Sequence, residues 1–173
     1  MTSRPYFCTA PWTHTYASPQ GERRLCCASR EEASFQKQYI DSSTAGGKFA
    51  PKSLEEHWNS DYMKDIRKRM LNGERLSQCE VCNDQILNLH TYKKYFTETL
   101  FPHKVDDIIA NTREDGHYDE MPVSYDYRIS NLCNFKCRMC GEQLSSSWEA
   151  EKKKLNLIDV IQEPWLEPDT RKQ

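Results

Sequence analysis

The sequence predicts an α+β fold, in which a small metal-stabilised module of a hairpin and helices precedes a single βα unit. Three observations carry this reading. Eight cysteines fall into three groups: Cys8 with Cys26 and Cys27, Cys79 with Cys82, and Cys133 with Cys137 and Cys140. A periodic helical stretch leads into the second group. The third group occupies a loop between a predicted strand and a predicted helix. A chain of 173 residues has room for one domain or two small ones. We divide it into a cysteine-rich module over 1–110, a linker over 111–121 and a second unit over 122–173.

Along the chain, Thr13 to Ala17 reads as a strand, Ser18-Pro19-Gln20-Gly21 as a turn, and Arg23 to Cys27 as a returning strand. Residues 41–53 read as a loop. Ser53 with Glu56 forms a capping-box pattern. Leu54, Trp58, Tyr62, Ile66 and Met70 then recur at steps of four, which predicts one helix that Asn72-Gly73 ends. A second helix follows Cys82, with Ile86, Leu89, Tyr92 or Lys93, Phe96 and Leu100 near the helical period and Pro102 behind them. The polar run NTREDGHYDE is the linker. A strand over Pro122 to Ser130, the third cysteine group and a helix from Ser145 to Leu155 complete the order.

Totals exclude several functions. With 24 Lys and Arg against 26 Asp and Glu, the formal charge of −2 is too balanced for long-range attraction to nucleic acid or to a membrane surface. No stretch approaches the ~18 apolar residues of a membrane span. The N-terminus, MTSRPYFCTAPWTH, lacks a basic region followed by an apolar run, so it is not a secretory signal. The expected location is the cytoplasm, where cysteines are metal ligands or redox thiols before they are disulfides. Apolar residues make up 37% of the chain, which predicts a small core that a metal site would reinforce. His14, His57, His90, His103 and His117 show no ligand spacing and read as surface or packing residues. No phosphate loop, catalytic triad or nucleic-acid module is present, and no catalytic residue is assigned.

Cys133-Asn-Phe-Lys-Cys137-Arg-Met-Cys140 is CxxxCxxC on a short loop. Three thiolates can hold three corners of a 4Fe–4S cube and leave one iron open to a chelating ligand. The competing reading is structural zinc, which takes four tetrahedral ligands in a closed site. The motif and its surroundings, DYRISNLCNFKCRMCG, resemble the signature of the radical S-adenosylmethionine (radical SAM) superfamily. The resemblance implies that the open iron binds S-adenosylmethionine and that the reduced cluster cleaves it to methionine and a 5′-deoxyadenosyl radical. It also implies that Met139, just before the third cysteine, lies near the adenine.

A second pattern joins the other groups. Cys8, twelve residues, Gly21, four residues and Cys26, with Phe7-Cys8 and Pro11-Trp12 around the first cysteine, resemble the opening of SPASM and twitch modules. Leu54-Glu55-Glu56-His57-Trp58-Asn59-Ser60 is similar to the helix these modules place before a CxxC pair, here Cys79-Glu-Val-Cys82. The resemblance implies that Cys8, Cys26, Cys79 and Cys82 close a second, auxiliary 4Fe–4S cluster. A four-cysteine zinc site is the alternative. Cys26 and Cys27 are adjacent and point to opposite faces of a strand, so one of the two ligates, and the glycine spacing favours Cys26. No cysteines follow Cys82 at the spacing of a further auxiliary cluster, which fits the one-cluster twitch arrangement. Such modules usually follow the barrel, and here the module comes first.

A radical SAM barrel takes about six βα units, roughly 200 residues by analogy with larger barrels. After Val123 the chain holds one strand, one loop and one helix. The expectation is therefore the start of an incomplete (β/α) barrel, truncated or split. The enzyme class is implied by the family, but most of the catalytic barrel is lacking. Expected partners are a second polypeptide that completes the barrel, a peptide substrate and an electron donor. The alternative function is a non-enzymatic iron–sulfur or zinc-binding module. The strand near Tyr125 to Ile129 is expected to show unpaired edges or a partner borrowed from elsewhere.

Overall fold

The computed structural model describes residues 4–18, 23–30, 40–41, 48–49, 53–84, 91–128, 130–142 and 144–158. Its core collects Phe7, Trp12, Leu25, Trp58, Met63, Ile66, Met70, Leu76, Ile108 and Tyr118, with Cys8 and Cys79 packed against it. These residues come from both sides of the first two cysteine groups, so the core and those thiols are organised together.

A short helix α1 (Ala10–Thr13), entered through Pro11, leads directly into strand β1 (His14–Ala17). Strand β2 (Arg23–Arg24) returns antiparallel, with Tyr16 opposite Arg24 and Ala17 opposite Arg23. The turn between them, with Gly21, lies outside the described residues. Within the stretch expected as loop, β3 (Ile40–Asp41) and β4 (Lys48–Phe49) form a small antiparallel pair.

The predicted long helix is two helices. Helix α2 (Leu54–Trp58) has the capping box: Ser53 Oγ accepts the Glu56 N–H and the Glu56 carboxylate accepts the Ser53 N–H. It ends at Asn59, and Ser60 caps α3 (Asp61–Leu71) by accepting the Met63 N–H. The break has a physical cause. Asn59 leaves the helical path to bond the Tyr118 backbone in both directions, at 3.1 Å each, and its Oδ1 also accepts from Arg67 at 2.8 Å. The apolar spacing continues across the break, which is why periodicity alone reads one helix. Arg67 is fully buried, stacked 4.4 Å from the Trp58 ring centroid and bonded through Nε to Pro11 O.

Past α3, the chain turns at Gly73 and forms a single tight turn (Ser77–Cys79) that runs into α4 (Glu80–Asn83). The expected start of the next helix, residues 85–90, lies outside the described residues. Thr91 caps α5 (Tyr92–Lys94), which widens into an i→i+5 turn over Tyr95–Leu100. After a tight turn at Pro102–Lys104 comes α6 (Val105–Asn111), which has no counterpart in the sequence reading.

Residues 111–121 lie against the core. Tyr118 is buried, Trp12 Nε1 donates to Thr112 Oγ1 at 2.8 Å, and Trp58 Nε1 donates to Glu120 O at 2.7 Å. Gly116 has φ +89°, and a Cβ there would lie 2.0 Å from the Lys64 carbonyl oxygen. Strand β5 (Ser124–Tyr127) then pairs parallel with β1, from His14 opposite Ser124 to Ala17 opposite Tyr127. The sheet order is β2-β1-β5. Beyond the loop of the third cysteine group, α7 (Ser146–Lys154) is capped by Ser145. No helix among the described residues is long and apolar enough to cross a membrane.

Candidate metal centre

Cys8, Cys26, Cys79 and Cys82 line one cavity. It is partly open to solvent, and its walls include Leu25, Met70, Tyr92, Lys93 and Phe96. Four local devices bring the thiols there. Cys8 precedes α1, and its backbone N–H donates to Met70 Sδ on α3 at 3.3 Å. Cys26 opens a turn closed by Ser29, whose N–H and hydroxyl both reach Cys26 O. The Arg30 N–H then donates to Gln78 O at 3.0 Å, tying that turn to the segment carrying Cys79. Cys79 and Cys82 bracket the first turn of α4, where an i, i+3 spacing puts both on one face.

The electrostatics are those of thiols crowded together. Burial pushes the Cys8 thiol up to about 11, and Cys82 adds to this. The Ala10 N–H, donating to Cys8 Sγ at 3.4 Å, and the Thr97 hydroxyl pull it back down. Burial likewise raises Cys26, with Cys8, Cys27 and Cys79 adding to the rise and the Ala28 N–H opposing it. Both thiols thus carry an N–H···S contact from the residue two further on. Thiols desolvated this strongly stay protonated unless a cation takes the proton's place, which is the setting of a metal ligand. Cys27 does not line the cavity, and its thiol shares a hydrogen bond with the Tyr92 hydroxyl. Among the described residues, no group of three or more His, Cys, Asp or Glu side chains forms a ready-made site for a single ion. The donor set is all sulfur, which fits an iron–sulfur cluster and also a four-cysteine zinc site.

Cys133, Cys137 and Cys140 lie on one irregular loop between β5 and α7, with Cys140 N–H donating to Cys137 O at 3.0 Å. Cys137 is exposed, Cys133 and Cys140 are half-buried, and Met139 is 93% exposed. The start of α7 fastens this loop through four consecutive residues. Ser145 Oγ donates to Phe135 O at 2.6 Å, and Ser146 Oγ and Ser147 Oγ both donate to Cys133 O, at 3.1 and 3.0 Å. Trp148 Nε1 donates to Cys137 O at 3.0 Å. Ser146 Oγ also accepts the Cys133 N–H. Asn131, buried before the loop, donates to Glu142 O and to the Glu149 carboxylate, closing the loop at its base. The sequence reading named none of Asn131, Ser146, Ser147 and Glu149 for this role. The run Ser145-Ser146-Ser147 was the available signal, since serine favours a helix start and bonds loop carbonyls readily.

The two cysteine sites are joined by backbone. The bonds of β5 to β1 are extended by Val123 N–H to Thr13 O at 3.0 Å and by Arg128 N–H to Ala17 O at 2.9 Å. The chain thus runs from the cavity side, through the sheet, into the three-cysteine loop. No curated protein and no solved structure matches the chain significantly. The family comparison does find a match, over a span that opens on Cys8 and ends one residue past Cys82: residues 8–83 match the SPASM iron–sulfur cluster-binding domain.

Proposed function

We propose that this chain is the N-terminal part of a radical SAM enzyme, in which Cys133, Cys137 and Cys140 hold a 4Fe–4S cluster that binds S-adenosylmethionine, and Cys8, Cys26, Cys79 and Cys82 hold an auxiliary 4Fe–4S cluster. The observation that carries the reading is the CxxxCxxC loop joined through β5 to a unit that matches a cluster-binding domain marking radical SAM auxiliary modules. The CxxxCxxC motif itself supplies three thiols, which leaves one iron of a cube for a chelating ligand. The chemistry supplied by such a cluster, once reduced, is one electron to the sulfonium of S-adenosylmethionine.

The protein's part is to hold and shape. Ser145, Ser146, Ser147 and Trp148 fix the carbonyls of the loop, so that its thiols are presented from a defined backbone. Met139 stands free to lie against the adenine. At the auxiliary site, four thiols lining one cavity suit a cube, and a four-cysteine zinc site is the alternative that metal analysis separates. An electron donor, a peptide substrate and a second polypeptide carrying further barrel strands complete the proposal.

The test is anaerobic reconstitution with iron and sulfide, followed by metal and sulfide analysis and electron paramagnetic resonance with and without S-adenosylmethionine. Two clusters, one of whose spectra responds to S-adenosylmethionine, support the reading; zinc alone overturns it. A non-enzymatic iron–sulfur module is the second reading, favoured by the exposure of Cys137 and Met139. It predicts two clusters and no response to S-adenosylmethionine.

A further inference from the structure

Lys93 is the only Lys, Arg, His, Asp or Glu among the described residues lining the four-cysteine cavity. Its side chain is buried, with 9% of the residue exposed. The ammonium donates to Pro5 O at 2.7 Å and lies 5.9 Å from the Tyr6 ring centroid. Among the described residues no carboxylate pairs with it. A buried cation held by one carbonyl and the face of one ring, with no carboxylate beside it, is only partly compensated. The same cavity holds Cys8 and Cys26, whose ionised forms burial also disfavours. Each cost is relieved by the other: thiolates and a cluster bring negative charge to the cation, and the cation brings positive charge to them. The interaction is already felt at Cys8, where Lys93 works against the effect of burial.

We propose that Lys93 is the positive charge that tunes the four-cysteine cluster, raising its reduction potential and slowing its loss. The inference rests on the iron–sulfur reading of that site. A four-thiolate cluster is anionic and gains one further negative charge on reduction. A cation at the wall of that cavity therefore favours the reduced form more than the oxidised one. Lys93 lies beyond residues 8–83, on the helix turn capped by Thr91 that brings Tyr92, Lys93 and Phe96 over the thiols. The module's ligands and its tuning charge thus come from separate segments.

A purely structural role, tethering Pro5, is separated from a tuning role by two substitutions. Lys93→Gln removes the charge and keeps a donor for Pro5 O. Lys93→Arg keeps both. Each is made in the full chain with Cys133, Cys137 and Cys140 changed to alanine, so that only the four-cysteine cluster is observed. After anaerobic reconstitution, iron and sulfide are counted and the midpoint potential is measured by spectroscopic redox titration. The expected result is a potential lowered in Lys93→Gln by at least tenfold in the reduction equilibrium, about 59 mV for one electron, with Lys93→Arg close to the parent. A Lys93→Gln chain with full iron content and an unchanged potential overturns the inference. Zinc without iron or sulfide in the parent overturns the underlying cluster reading instead.

Discussion

At the scale of single residues, Cys26 and Cys27 separate a proposed ligand from its neighbour. Cys26 lines the cavity beside Cys8 and Cys79, whereas the Cys27 thiol bonds the Tyr92 hydroxyl. We expect Cys26→Ser to abolish loading of the four-cysteine site and Cys27→Ser to leave its iron and sulfide content unchanged. Equal losses in the two variants would remove the distinction. Gly116 makes a second residue-level case, unrelated to metal. Its positive φ disfavours any side chain, and a Cβ there would strike the Lys64 backbone on α3. Gly116→Ala should cost about 2 kcal/mol or more, combining the left-handed backbone penalty with overpacking. Chemical denaturation of the chain with its metal loaded measures this, and a change below about 0.5 kcal/mol would mean the loop shifts freely off α3.

At the scale of elements, α7 acts as a clasp on the three-cysteine loop. Its first residues bond the carbonyls of Cys133, Phe135 and Cys137, so the helix and the loop should form or fray together. Changing Ser146 and Ser147 together to alanine leaves Cys133 O without its two hydroxyl donors. We expect the three-cysteine site to lose iron several times faster to a chelator, with the four-cysteine site unaffected. A matching loss at both sites would show a general loosening of the chain. The elements also show how far the sequence could be read. The capping box at Ser53, the hairpin direction of β1 and β2, the strand at Tyr125 and the helix beginning after Ser145 follow from local patterns, and the structure contains each. The break at Asn59-Ser60 does not follow, because its cause is the distant backbone of Tyr118. Helix α6 escaped for a related reason: of its seven residues only Ile108 is buried, so no apolar stripe announces it. The expectation that Cys8, Cys26, Cys79 and Cys82 act together rests on the resemblance to SPASM and twitch modules, and all four line one cavity. The presence of Lys93 beside them depends on packing between segments that no spacing links.

At the scale of the whole molecule, the two cysteine sites differ in shelter. The four-cysteine cavity is walled by core residues such as Leu25 and Met70, whereas the three-cysteine loop carries exposed Leu132, Phe135 and Met139. Strand β5 continues the contrast. One edge pairs with β1, and among the described residues the other edge has no strand partner, while Tyr125 and Tyr127 remain 55% and 40% exposed. The borrowed partner anticipated for this strand is thus β1 of the cysteine-rich module, although Ile129 lies outside the described residues. On the proposed radical SAM reading, this unpaired strand edge beside an apolar, exposed loop is the face on which further strands would assemble to keep a radical from solvent. From this we expect iron to leave the reconstituted chain in two phases under a chelator, the fast one from the exposed loop. Changing Cys133, Cys137 and Cys140 to alanine should delete the fast phase alone. We also expect the chain by itself to form 5′-deoxyadenosine only at background level when reduced with S-adenosylmethionine present. A single slow phase, or sustained 5′-deoxyadenosine formation by this chain alone, would mean that the loop is sheltered by more than the described residues provide. Formation that begins only when a polypeptide carrying the further strands is added would place that shelter in the partner.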